Sequence, residues 1–125
     1  MSASNSFDAY SAIARVYDRL NAEVDYVSWA EFIQKCFQKY ADTPPSLVLD
    51  LACGTGTISC LMAEKGYRVL ACDASIEMLS AAMMKSAGME NAPMFLHQSM
   101  EKLRLASEVD AVISTIDAIN YLIRY

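Results

Sequence analysis

The chain has 125 residues, 54% of them apolar and 20% charged, which gives it side chains for one hydrophobic core and too little length for two ordinary domains. That composition argues against a disordered chain, and no apolar run in it approaches the ~20 residues that span a bilayer. A net charge of −5, without any cluster of lysine or arginine, removes the broad attraction to phosphates on which nucleic acid binding rests and favours a small-molecule partner.

The first residues, Met1 to Asp8, have neither the basic start nor the apolar stretch of a secretory signal, so the expected location is the cytoplasm. Cys36, Cys53, Cys60 and Cys72 form no Cys-x-x-Cys pair and have no histidine at zinc-ligand spacing. They are predicted to be reduced, small buried residues, and no metal site is expected.

In chain order, the first forty or so residues read as helical. Phe7, Tyr10, Ile13, Ala14, Tyr17 and Leu20 recur at steps of three and four, which places them on one helix face. Asp25 is placed to cap a second helix with a stripe of Tyr26, Trp29, Ile33, Cys36, Phe37 and Tyr40. Pro44 and Pro45 end it, because proline lacks the amide hydrogen and restricts the residue before it.

From Ser46 the pattern changes. Leu47 to Leu51 is a short apolar run, as a parallel strand covered on both faces requires. A glycine-rich turn follows, then a helix from Thr57 that closes at Gly66. Tyr67 to Cys72 reads as the next strand and ends at Asp73. Ser75 is placed to cap a helix carrying Ile76, Met78, Leu79, Ala82 and Met83, which frays near Gly88. Met94 to His97 is a weaker third strand, Val109 to Thr115 a β-branched fourth, and Asp117 opens a further helix. Strands alternating with helices at this spacing predict an α/β fold, a doubly wound, mostly parallel Rossmann-like sheet with right-handed crossovers.

In such sheets ligands sit outside the carboxyl ends of the strands. Those ends carry Asp50 to Gly56, then Asp73, Ala74 and Ser75, then Gln98, Ser99 and Met100, then Ser114 to Asp117. Gly54 and Gly56 permit a tight turn with close backbone approach, and Asp73 follows at the interval that puts an acid on ribose hydroxyls. A dinucleotide fingerprint would want a third glycine where Ser59 stands. The Asp50 carboxylate would repel a pyrophosphate and suits a ligand bearing an ammonium and a sulfonium.

Leu47 to Gly56 resembles motif I of the class I S-adenosylmethionine-dependent methyltransferases, and the chain is similar to small bacterial members of that family. Ala71 to Leu79 is similar to the second motif, Asp110 to Leu122 to the fourth-strand motif, and Tyr10 to Leu20 to the N-terminal helix of the small members. The resemblance implies a single domain, with helices in residues 1–45 covering the cofactor site and a partial Rossmann-like core in 46–125. It implies S-adenosyl-L-methionine as cofactor. Asp50 and the backbone of Ala52 and Gly54 would hold its methionine end and Asp73 its ribose, with Gly56 shaping the turn. Ala74, Met78, Ser99 and Met100 would border the adenine, Tyr10 and Tyr17 would close over the methionine portion, and Thr115 would lie near the methyl group. The family often has glycine at Ala52 and an acid at Ser99, so somewhat looser cofactor binding is expected.

Several residues also have plainer readings. Tyr10, Tyr17 and Met78 fit core packing, His97 a hydrogen-bonded structural histidine, Asp117 a helix cap, and the eight methionines gap-filling. Methyl transfer is an in-line displacement that mainly requires positioning, so no catalytic residue is assigned. The segment after the fourth strand is not Asn-Pro-Pro-Tyr, which leaves a small-molecule acceptor as the first expectation and RNA as the alternative. A non-catalytic module on the same fold and a nicotinamide-dependent oxidoreductase are the other classes. Class I sheets add strands beyond the fourth, so the natural protein is expected to be longer, or that edge to be covered by another chain. The 125-residue piece is expected to be inactive if it needs that half.

Overall fold

The computed structural model describes residues 25–98 and 108–114. Asp25 opens the first described helix, α1 (Tyr26–Tyr40), its carboxylate accepting from the Ser28 amide at 3.0 Å and the Ser28 hydroxyl at 2.6 Å. One donor of the helix start is thereby satisfied. The chain leaves the helix in extended conformation at Ala41, ahead of Pro44 and Pro45.

The buried face of α1 differs from the predicted stripe. Ala30 is fully buried, and Tyr26, Ile33 and Phe37 pack on the core, whereas Trp29 and Tyr40 are exposed. Tyr26, Ala30, Ile33 and Phe37 keep the helical spacing of four, three and four. A step of about 100° per residue puts Trp29 on the flank of that stripe.

Four strands follow, β1 (Leu47–Leu51), β2 (Arg68–Asp73), β3 (Met94–His97) and β4 (Ala111–Ser114). All pair in parallel in the order β3-β2-β1-β4. Helix α2 (Thr57–Glu64) joins β1 to β2, and α3 (Ile76–Lys85) joins β2 to β3. The sheet therefore grows from β1 through β2 to β3, and returns to the other side of β1 for β4. This reversal is the doubly wound arrangement, and its switch point lies between β1 and β4.

Val48 and Leu49, neighbours on opposite faces of β1, are both buried, so the central strand is covered on each side. Val48, Val69, Ala71 and Ile113 point to one face, where they join Ala30 of α1, Ile58, Met62 and Ala63 of α2, and Leu79 of α3 in one cluster. Tyr67 adds an edge-on ring contact with Phe37 at 5.6 Å between centroids. In α3 only Leu79 and Ala82 of the predicted stripe are buried; Ile76 and Met83 are half exposed. Gly66, at φ 102, closes α2 as expected, its amide donating to the Ala63 carbonyl at 3.0 Å.

The fourth strand starts later than the predicted Val109, because Asp110 is used otherwise. Its carboxylate accepts from the Ser46 and Leu47 amides at 2.9 and 2.8 Å, and its own amide donates to the Leu47 carbonyl at 2.8 Å. It thus ties the start of β4 to the start of β1, and these bonds hold its carboxyl below the usual 3.8. Asp110→Ala is expected to lower the melting temperature by a few degrees. A group with a depressed folded pKa stabilises fully above its ordinary value and loses that contribution as pH falls. The gap between variant and wild type, followed by thermal melts, should close as pH drops below 3.8.

Candidate functional site

The carboxyl end of β1 runs into a turn with three left-handed residues: Ala52 at φ 52, Gly54 at φ 59 and Gly56 at φ 79. Glycine adopts this region freely; alanine does so at a cost of roughly 1–2 kcal/mol. The turn is anchored to β2, since the Cys53 amide donates to the Cys72 carbonyl at 2.8 Å. It is closed on itself by the Gly56 amide, which donates to the Cys53 carbonyl at 3.0 Å. Gly56 then serves as N-cap of α2, its carbonyl accepting from Cys60 at 2.9 Å.

Asp73, at the end of β2, joins this turn to the start of α3. One carboxylate oxygen accepts from the Gly54 amide at 2.9 Å and the other from the Ser75 amide at 2.8 Å. The Ser75 hydroxyl in turn accepts from the Met78 amide at 3.2 Å and caps α3. Each oxygen of Asp73 keeps a further lone pair for a ligand hydroxyl. Beside it, His97 Nε2 lies 2.9 Å from the carbonyl of Ala74, which fits the structural reading of the one histidine in the chain.

Asp50 is fully buried on the helix-covered face of β1. The Ser59 hydroxyl of α2 donates to its Oδ2 at 2.5 Å, while its Oδ1 has no hydrogen-bond partner among the described residues. Burial raises its pKa from 3.8 to about 7, opposed by the Ser59 bond and reinforced by the charge of Asp73. A raised folded pKa means that, between those values, the folded protein holds a proton that the unfolded chain has lost. Stability should therefore fall as pH rises from 3.8 to about 7 and level off above it. Urea denaturation across that window should show the decline in the wild type and a much flatter profile in Asp50→Asn.

Three of the four cysteines are buried as small apolar residues, and Cys36 is half-buried. All four are free thiols, with Cys53, Cys60 and Cys72 buried, and burial pushes the pKa of those three thiols up.

Of the residues singled out in the sequence, Asp50, Gly54 and Asp73 converge, with Ala52 and Gly56 shaping the turn between them. Ala74 is exposed at the mouth of β2 and Met78 half-buried in the first turn of α3. Tyr10, Tyr17, Ser99, Met100, Thr115 and Asp117 lie outside the described residues. Two contributors escaped the sequence reading. Ser59 was visible only as a missing glycine, although it is the partner of Asp50. Lys85 donates from the end of α3 to the hydroxyls of Thr55 and Thr57, at 3.1 and 2.8 Å. A contact spanning 30 residues leaves no local spacing to find. Among the described residues no helix is long and apolar enough to cross a membrane.

The methyltransferase domain family matches residues 48–124. A Bacillus subtilis (strain 168) protein, YqeM, provisionally named a methyltransferase, is 38% identical over 114 residues, which cover 90% of this chain and 44% of the relative. A protein of Geobacillus sp. (strain WCH70) with the same provisional naming is 33% identical over 114 residues, 91% of this chain and 46% of its own. The crystal structure of a S-adenosylmethionine-dependent methyltransferase from Clostridium acetobutylicum ATCC 824 superposes with a TM-score of 0.71 at 33% identity, covering 92% of this chain and 47% of that one. The chain thus spans about half the length of the relatives it matches. With the glycine turn and both aspartates inside the matched segment, the chain belongs to the methyltransferase domain family.

Proposed function

We propose that this chain is the cofactor-binding half of an S-adenosylmethionine-dependent methyltransferase acting on a small molecule. The observation that carries the reading is the junction at the ends of β1 and β2, where the glycine turn is bonded to Asp73 and flanked by an oxygen of Asp50 that has no partner among the described residues. An acceptor left without a donor in a buried site suits a ligand that brings an ammonium group. A pyrophosphate would meet two carboxylates here, which disfavours a nicotinamide dinucleotide.

The cofactor supplies an electrophilic methyl group on a sulfonium. The chain's part is to hold it. Asp73 takes the ribose hydroxyls through its remaining lone pairs, and the turn from Ala52 to Gly56 lies against the methionine end beside Asp50. Ala74 and Met78 border the adenine, and Gly54 and Gly56 keep the backbone free of Cβ atoms at the closest approach. Tyr10, Tyr17, Ser99, Met100 and Thr115 complete the set as the family resemblance has it. Catalysis then rests on aligning the acceptor with the methyl group and excluding water. The net charge of −5 and the absence of Asn-Pro-Pro-Tyr after β4 favour a small acceptor over RNA or an amide nitrogen.

Calorimetric titration with S-adenosylhomocysteine, with NADH as control, tests the reading. Micromolar binding of the former and none of the latter is expected. Binding of NADH in its place, or of neither ligand to the folded chain, counts against it.

A further inference from the structure

We propose that α3 sets the conformation of the glycine turn through two residues one helical turn apart, Ala82 and Lys85, and that Lys85 is a positioning residue for cofactor capture. The inference rests on the cofactor reading above for its purpose, but not for its geometry. Neither residue belongs to the motifs that carry the family resemblance.

A glycine turn is permissive by nature, because Gly56 takes either sign of φ at little cost. Restraints from outside the turn add to its own bonds in holding the left-handed value of 79°. The structure supplies two restraints. Ala82 fills the space beside Gly56 so fully that a Cβ on the glycine would lie 2.8 Å from the alanine Cβ. Lys85 Nζ then bonds the hydroxyl on each side of that glycine, Thr55 at 3.1 Å and Thr57 at 2.8 Å.

The pair of bonds straddles the flexible residue. Rotation about the Gly56 backbone would swing Thr55 relative to Thr57, so one bond to Lys85 would break for any large departure. Thr55 is buried, with 3% of its surface exposed, while Lys85 reaches in from an exposed position. The ammonium donates to both hydroxyls at once, and a charged donor makes the stronger kind of hydrogen bond. The spacing of three residues puts Ala82 and Lys85 on the same face of α3. Asp73 holds the same turn from the Gly54 side, so α3 and β2 fix its two halves separately.

The test combines amide hydrogen exchange on the unliganded chain with S-adenosylhomocysteine titration, for wild type, Lys85→Met, Lys85→Arg, Thr57→Val and the Lys85→Met/Thr57→Val double variant. The Gly56 amide, bonded to the Cys53 carbonyl at 3.0 Å, reports on the turn directly. Lys85→Met keeps the aliphatic stem and removes the donors. It should speed Gly56 exchange and weaken binding, each roughly three- to tenfold, while amides between β1 and β2 keep their protection. Lys85→Arg should recover most of both effects, and the double variant should be no worse than Lys85→Met alone. Wild-type exchange at Gly56 in Lys85→Met would overturn the proposal, as would failure of arginine to restore it. If the wild type binds no S-adenosylhomocysteine, the cofactor reading fails, and the exchange measurement still decides whether the clamp exists.

Discussion

Asp73→Ala is expected to weaken S-adenosylhomocysteine binding by at least about a hundredfold, which takes micromolar affinity out of calorimetric range. Two hydrogen bonds from ribose hydroxyls to a carboxylate contribute about 1.5–3 kcal/mol each, so their joint loss reaches that factor. The substitution also releases the Gly54 and Ser75 amides, which Asp73 holds at 2.9 and 2.8 Å. The turn would lose its tie to α3 as well as its ribose acceptor. Asp73→Asn separates the two effects, because an amide oxygen can still accept one backbone bond but cannot accept at both positions. Titration of both variants, with melting temperatures beside them, should rank alanine below asparagine and asparagine well below wild type. Near-wild-type affinity in Asp73→Ala would remove the carboxylate from the site.

Gly56→Ala is expected to cost the chain a large part of its stability. At φ 79 a side chain meets the left-handed penalty, roughly 1–2 kcal/mol. The added Cβ would also sit 2.8 Å from the Cβ and 3.5 Å from the Cα of Ala82 in a packed helix. Overpacking of that kind costs about 1–3 kcal/mol more. The two sum to about 2–5 kcal/mol, a large part of the stability of a small domain. Gly88 provides the control, since its φ is 85 and a Cβ there meets nothing within 4 Å. Urea denaturation should show Gly88→Ala losing only the backbone share, and the excess loss in Gly56→Ala is then the clash with α3. Equal losses in the two variants would mean that α3 yields without cost.

Much of this arrangement could be read from local signals. Leu47 to Leu51 and Met94 to His97 fall where their apolar runs end, and Asp25, Ser75 and Gly66 act as the caps their residue types suggest. Each such feature depends on residues within a few positions of one another. What lay beyond reach depends on distance or on rotation. A stripe of apolar residues does not say which of its edges faces the core, so the stripes take in the exposed Trp29, Ile76 and Met83 and leave out the buried Ala30. Asp110 reads as a residue of the fourth strand, and nothing near it announces that its side chain will hold Ser46 and Leu47, more than 60 residues earlier. In the site, the acids at Asp50 and Asp73 and the spacing of the glycines were visible. The burial of Asp50 against Ser59 was not, because the sheet and α2 together bring about that contact.

Ala52 holds its left-handed φ of 52 at a position where many relatives are expected to carry glycine. The strain of roughly 1–2 kcal/mol in the folded chain is set against the greater freedom that glycine would bring to the unfolded one, worth about 0.4–1 kcal/mol. The difference between the two residues is therefore small, at most about 1.6 kcal/mol in favour of glycine. Exchange between them also needs only one base change, since every glycine codon is one step from an alanine codon. Such a site drifts. A search pattern that insists on glycine there would pass over chains like this one.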